Sequence, residues 1–234
     1  MSESIFDLMA PHIPEDHAHQ SNAVTELQAV IDLGHDARSV LDLGCGDGRS
    51  ADLFRRVAPD CEWIGVDIEE SPEVGARVRD DVTFVTYDGE NLPFDSDTFD
   101  LVYSYQVMEH VRHPERVLKE VKRVLRPGGL FVGQTSQFEP YHSYSMWNFT
   151  IYGFKVLIES VGMSLSKIRP SIDGITLIER SYLGRPKEYS KWFGQESPLN
   201  QEIERVCNEK ARSIRVKNFR KLMYCGQFTF VCEA

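Results

Sequence analysis

The stretch Ser39-Val40-Leu41-Asp42-Leu43-Gly44-Cys45-Gly46-Asp47-Gly48-Arg49-Ser50 restricts the fold of this chain more than any other. Val40, Leu41 and Leu43 form a short apolar run that predicts a buried strand. The run stops at glycines in alternate positions, and the residues from Ser50 to Val57 suit a helix. Glycine is required where the turn adopts backbone angles closed to other residues, and a missing Cβ lets a ligand approach the main chain. The free N–H groups of the following helix then face that ligand. A glycine-rich turn without a ligand satisfies the same residues, so later segments must decide between the two.

The next apolar run, Glu62–Ile68, predicts a second strand that reaches an acid at Asp67, 19 residues after Gly48. In nucleoside-binding units an acid at this place hydrogen-bonds both ribose hydroxyls, which suits a carboxylate with two acceptor oxygens; an acid that only caps a turn is the alternative. A third strand over 82–87 leads to Asp88-Gly89 and a polar loop. A fourth, from Phe99 to Ser104, opens into Tyr105–His110. Pro114 then begins a helix whose apolar face is Val117, Leu118, Val121, Val124 and Leu125. Arg126-Pro127-Gly128-Gly129 is expected to stop it, and Leu130–Thr135 to form a fifth strand. Strands alternating with helices predict an α/β doubly wound parallel sheet, in which ligands lie at the carboxyl ends of the strands where their order reverses. The glycine turn, Asp67, Asp88 and residues 104–110 therefore converge on one pocket.

A dinucleotide dehydrogenase wants a third small residue where this chain has Arg49, and no Gly-x-x-x-x-Gly-Lys phosphate loop is present. Five segments, Val40–Gly48, Gly65–Ile68, Leu92–Val102, Met108–Val111 and Leu125–Gly129, are similar in order and spacing to the class I S-adenosylmethionine-dependent methyltransferases. This resemblance implies a Rossmann-like sheet of seven strands with an antiparallel last strand, for which Phe228–Cys232 is the natural segment. It implies S-adenosylmethionine as cofactor. Asp42 and the turn of Gly44, Cys45, Gly46 and Gly48 would hold its methionine end, Asp67 the ribose, and Asp88 with Gly89 the adenine, with Ile68 also among the cofactor contacts. Tyr105 would border the methyl group. Carboxylates suit this cofactor, whose sulfonium and ammonium groups are cationic.

The rest of the chain bears on the acceptor. Residues 138–154 interleave aromatic and polar side chains without a clean period, which suits either a wall for a polar ring or a hydrophobic plug. Tyr141, His142, Tyr144 and Trp147 are candidate substrate contacts, and His142 and His110 candidate general bases, with Glu109 beside them. A Pro-Tyr-His stretch followed by aromatic-Asn-Phe-Thr resembles methyltransferases associated with bacterial polysaccharide and lipopolysaccharide synthesis, which implies O-methylation of a sugar or glycan-precursor hydroxyl. A methyltransferase of another small metabolite and a cofactor-binding scaffold without turnover fit the same residues. Val156, Leu157, Ile158 and Val161 predict a helix ended by Gly162, and Leu165–Ile168 a sixth strand.

The organisation expected is one domain over 1–234: a helical cap at 1–36, the core at 37–170 and 222–234, and a lobe at 171–221 inserted before the last strand. Residues 202–221 hold seven Lys or Arg against three Glu, a face that could meet a diphosphate, an anionic lipid surface or a partner, or simply solvent. The net charge of −10 argues against nucleic acid as partner. The five cysteines show no C-x-x-C pair, and His12, His17 and His19 lie on a proline-broken polar segment, so no metal site is expected. The first 37 residues contain seven acids and no Lys or Arg, which predicts a chain without a secretory signal, and no apolar run is long enough to span a bilayer. A cytoplasmic protein with reduced thiols is the expectation.

Overall fold

The computed structural model describes residues 4–234. Seven strands form one sheet: β1 (Ser39–Leu43), β2 (Glu62–Ile68), β3 (Thr83–Tyr87), β4 (Phe99–Tyr105), β5 (Leu125–Ser136), β6 (Ser164–Pro170) and β7 (Gln227–Glu233). Their order is β3-β2-β1-β4-β5-β7-β6. The first five run parallel, and β7 enters antiparallel between β5 and β6. The fold is the expected Rossmann-like α/β sheet, with its order reversing between β1 and β4.

Side chains alternate across each strand, so both faces need a covering layer. Val40 of β1 packs in a cluster with Leu27 and Val30 of α2 (Ala23–Asp32) and Phe54 of α3 (Ser50–Val57). Leu41 and Leu43 point the other way, into a cluster with Met9 of α1 (Ile5–Met9), Val117 and Val121 of α5 (Pro114–Val124), and Phe154 and Ile158 of α6 (Ile151–Ser160). Between β2 and β3 lies only the short α4 (Pro72–Gly75). The alternation also puts Asp42 on the α3 side.

Two boundaries differ from expectation. Arg126–Gly129 was expected to lie outside the fifth strand, but β5 already begins at Leu125, which pairs with Phe99 across a register shift. The main chain of Ala234 donates to Gly129 O at 3.0 Å. The sheet thus recruits a segment whose local residues signal a stop. Helix α6, read from the apolar residues Val156 to Val161, starts earlier, at Ile151, because the Thr150 hydroxyl accepts from the Gly153 N–H at 3.0 Å and caps it.

Residues 171–222 carry α7 (Gly174–Tyr182), α8 (Pro198–Glu209) and α9 (Ile214–Leu222). They are tied to the chain's early segment. Lys221 is fully buried, and its ammonium donates to Ala18 O at 2.6 Å, Glu196 at 2.5 Å and Glu204 at 2.9 Å. Asn218 bonds the carbonyls of Pro14 and His17. The basic stripe is correspondingly reduced: Lys221 is interior, Arg205 pairs with Glu202 and Glu209, and Arg215 with Glu15. His17 and His19 are exposed. Among the described residues no helix is long and apolar enough to cross a membrane.

Candidate functional site

The glycine turn after β1 is built against protein as well as open to a ligand. Gly44 has φ +72°, and a Cβ there would stand 2.4 Å from Val107 Cγ2. Gly48 has φ +81°, and its Cβ would meet the Phe84 ring at 2.6 Å. These two glycines let the turn after β1 close against the loop after β4 and against strand β3.

Asp42 lies beneath this turn, 3% exposed, and accepts a hydrogen bond from the Ser50 hydroxyl at the start of α3. Trp63 Nε1 donates to the same hydroxyl at 3.2 Å. Burial pushes the Asp42 carboxyl up to about 7; the Ser50 bond pulls against this and the Asp67 charge adds to it. Asp67 sits at the end of β2. Its Oδ2 accepts from the Gly46 N–H at 2.7 Å and its Oδ1 from the Ile68 N–H at 2.8 Å. Burial raises this carboxyl too. Each oxygen keeps a further acceptor position for a ligand hydroxyl.

The other cofactor-side residues divide. Ile68 is 40% exposed beside Asp67 and offers an apolar surface. Asp88 is occupied by its own turn: Oδ1 accepts from the N–H groups of Glu90 and Asn91 and Oδ2 from the Asn91 amide. These bonds, led by the Asn91 N–H, lower its carboxyl to about 2. Gly89 follows with φ +87°. Cys45 is buried, and burial pushes its thiol well above the ordinary range, so it is no nucleophile. Tyr105 ends β4, 47% exposed, within electrostatic reach of Arg49 on one side and of Glu109 and Glu139 on the other. It marks the passage from the glycine turn to the end of the site where the sequence places the acceptor.

That end is a polar cluster around Glu109, which is fully buried. Thr135 and Ser136, the last residues of β5, donate hydroxyls to its two oxygens at 3.0 and 3.1 Å. Burial pushes Glu109 up to about 7. The rings of His110 and His142 meet edge to face at 5.2 Å. Burial, then the neighbouring His142, lowers His110. Segment 138–150 is strapped over the cluster by the Met146 and Trp147 N–H groups on Glu109 O (2.7 and 3.1 Å) and by Trp147 Nε1 on Val111 O (2.8 Å). Tyr141 and Tyr144 project from it, 74% and 79% exposed.

Sequence reading did not single out Arg77, Gln106, Glu139 or Gln227. Arg77 donates to Gly46 O at 2.7 Å and lies 3.6 Å over the Phe84 ring, clamping the glycine turn. Gln106 has φ +56°, an uncommon conformation for its type. With its amide nitrogen turned to the carboxylates, it donates to Glu109 at 2.9 Å and Glu139 at 3.1 Å. Gln227 Nε2 donates to Glu139 at 2.7 Å from β7. Only Gln106 carried a local signal, its place at the end of a strand beside Glu109 and His110.

Residues 41–133, which run from within β1 into β5 and include every residue expected at the cofactor, match a family model described as methyltransferase domain. This stretch is a class I S-adenosylmethionine-dependent methyltransferase domain. The chain is 36% identical over 104 residues to a phthiotriol/phenolphthiotriol dimycocerosates methyltransferase of Mycobacterium tuberculosis, a match covering 43% of this chain and 38% of that protein. It is 36% identical over 121 residues to the demethylmenaquinone methyltransferase of Symbiobacterium thermophilum, covering 48% of each. The matches therefore span less than half the length of these curated relatives. In structure the methyltransferase domain and its surroundings are similar to a SAM-dependent methyltransferase of Archaeoglobus fulgidus (TM-score 0.58, 19% identity, 90% of this chain and 92% of that one). A 4+2 cyclase, SpnF, is similar as well (TM-score 0.55, 16% identity, 94% and 88%), so the fold by itself does not fix the chemistry.

One substitution tests the local strain in segment 138–150. Ser143 and Tyr144 both have positive φ, 39° and 63°. Tyr144→Gly is expected to unfold at a higher temperature than Tyr144→Ala, by about 1 kcal/mol, because alanine keeps the left-handed penalty and glycine removes it. Thermal melts of the two variants give the comparison.

Proposed function

We propose that this chain transfers a methyl group from S-adenosylmethionine to a hydroxyl of a small ring-shaped acceptor, a sugar or glycan precursor. The observation that carries the cofactor side is Asp42. A buried carboxylate with a hydroxyl donor and no basic partner among its hydrogen bonds is poised for a cation. The cofactor's methionine end supplies one, and the acidic donor set of Asp42 and Asp67 fits it better than it fits a phosphate. When bound, S-adenosylmethionine supplies a methyl group activated by its sulfonium.

The chain's own residues do the rest. Asp42 and the glycine turn bind the methionine end, and Asp67 holds the ribose while keeping Gly46 in place. Ile68 and Gly89 line the adenine side. Tyr105 separates the two halves, and the cluster of Glu109, His110 and His142 receives the acceptor oxygen and its proton, with either imidazole serving as base. Tyr141, Tyr144 and Trp147 offer flat faces with polar tips to the acceptor ring. Positioning and exclusion of water then provide much of the acceleration for an in-line displacement.

A second acceptor class is favoured by a specific observation. Phe138, Tyr141, Met146 and Trp147 on the strapping segment are between 45% and 74% exposed, a surface that suits an apolar acceptor. The relatives named for a dimycocerosate lipid and for menaquinone act on such molecules. Turnover assays with sugar nucleotides against isoprenoid quinones and hydroxylated lipids separate the classes, and no methyl transfer to any of them, with cofactor binding intact, would favour a scaffold.

The Asp42 assignment has a pH signature. Its carboxyl rises from the ordinary 3.8 to about 7 in the folded chain. The folded state therefore holds a proton that the unfolded state releases, and this stabilisation is full below about pH 4 and lost as pH rises through 7. A bound cation favours the ionised form, so the affinity for S-adenosylhomocysteine is expected to be about tenfold higher at pH 8 than at pH 6. Calorimetry at both pH values gives the ratio, and Asp42→Asn should flatten it. Equal affinities for the wild type would place the cation elsewhere.

A further inference from the structure

We infer that Glu109, His110 and His142 form a binding site for one divalent first-row cation, of the Mn2+ or Zn2+ kind, with Glu139 beside it. One ligand atom from each of the three residues lies within 4.8 Å of the others. Opposite ligands of an octahedral ion with bonds of about 2.1 Å stand roughly 4.2 Å apart, so small side-chain rotations close the set. Two imidazoles and one carboxylate, with open positions left over, are a donor set that first-row metals accept.

Three observations beyond the cluster support it. The first is charge. Ser136 Oγ lies within hydrogen-bond distance of both Glu109 (3.1 Å) and Glu139 (2.7 Å), so two carboxylates share one hydroxyl hydrogen. Among the described residues neither carboxylate forms an ion pair with Lys or Arg; His142, 3.8 Å from Glu139, is the nearest basic group paired with either. Carboxylates withdrawn from water call for a cation. The second is the orientation of His142. Its Nδ1 lies 3.1 Å from Pro140 O. A carbonyl only accepts, so Nδ1 carries the hydrogen and Nε2 keeps a lone pair, the arrangement by which an outer hydrogen bond aims a metal-binding imidazole. The hydroxyls of Thr135 and Ser136 fix Glu109 in the same way. The third is His110, whose Nδ1 is out of contact with solvent and has no hydrogen-bond partner. A buried ring nitrogen left unpaired is unfavourable until something binds it.

The spacing of the sequence concealed this set. Glu109 and His110 are adjacent in the turn after β4, and His142 arrives from a loop held down by the Met146 and Trp147 N–H groups. The existence of the site is independent of methyl transfer. Its use, holding the acceptor oxygen and making its hydroxyl more acidic, would replace the imidazole base, since both rings then serve as ligands, and it rests on the function proposed above.

The test needs no acceptor. Wild-type protein stripped with EDTA is titrated with Mn2+, and the paramagnetic resonance signal of the free ion reports uptake; Zn2+ is added as competitor. One Mn2+ per chain, displaced by Zn2+, is the expected result, with Glu109→Gln and His142→Ala each weakening uptake by more than about tenfold. Because Glu109 is buried and its variant can misfold, His142→Ala, on the half-exposed loop, carries the comparison if circular dichroism shows Glu109→Gln unfolded. Full free-ion signal with wild-type protein overturns the proposal, and so does equal uptake by wild type and His142→Ala. Methyl transfer that survives EDTA, together with no uptake, removes the metal and leaves the proposed function standing. Uptake without methyl transfer does the reverse.

Discussion

Asp67→Ala is expected to raise the dissociation constant for S-adenosylhomocysteine by about 10- to 100-fold, corresponding to about 1.5–3 kcal/mol. The loss has two sources. The ribose loses a charged acceptor, and the Gly46 and Ile68 N–H groups, held at 2.7 and 2.8 Å, lose their partner. The second source acts without ligand, so it appears in the thermal melt of the free protein, whereas the first appears only in binding. Asp67→Asn keeps one acceptor oxygen and replaces the other with a donor, and should fall between alanine and the wild type. Isothermal calorimetry of the three proteins, with melts alongside, separates the terms. An unchanged dissociation constant in Asp67→Ala would remove this acid from the cofactor site.

Gly44→Ala should be among the most damaging single-atom additions in the chain. The new Cβ must tolerate φ +72° and would stand 2.4 Å from Val107 Cγ2. The left-handed backbone contributes about 1–2 kcal/mol and the overpacking about 1–3 kcal/mol, so a loss of about 2–5 kcal/mol is expected. For a chain of this size that lowers the melting temperature by about 5–15 °C. Val107→Ala, combined with Gly44→Ala, should recover the steric part and leave the backbone part, which a double-mutant cycle reads directly. A fully additive cycle would show that the two loops do not meet. Cofactor affinity should fall in Gly44→Ala as well, since the same contact joins the turn after β1 to the segment bordering Tyr105.

The cofactor half of this fold was legible because its signals are local. Val40, Leu41 and Leu43 run into glycines, Glu62–Ile68 is apolar and ends near an acid, and the strands and helix read there coincide with β1, α3 and β2 to within a residue. Where sheet pairing overrides local chemistry, the sequence misled: Arg126-Pro127-Gly128-Gly129 has every mark of a break, yet β5 passes through it because β4 and the end of the chain supply hydrogen-bond partners. The acceptor end was legible only in part. His110 and His142 were singled out separately, and their edge-to-face contact depends on a loop whose path no periodicity encodes. Glu139 and Gln227 are brought together from positions 88 residues apart, and nothing near either of them in sequence announces the pairing. The meeting of Glu109 and His110 with His142 was hidden for the same reason.

The insertion of β7 between β5 and β6 has a consequence in time. The cofactor half is assembled from one continuous stretch, β1 through the turn after β4, all of it synthesised before the midpoint of the chain. The acceptor half waits for Gln227, whose amide reaches Glu139 only after β7 has slotted into a gap between two strands made much earlier. Such distant pairing closes slowly. On the function proposed above, a nascent chain would therefore pass through a stage in which the nucleoside cradle is formed while the opposite wall is still open, and a cofactor arriving then would be held by a half-built site without being able to spend its methyl group.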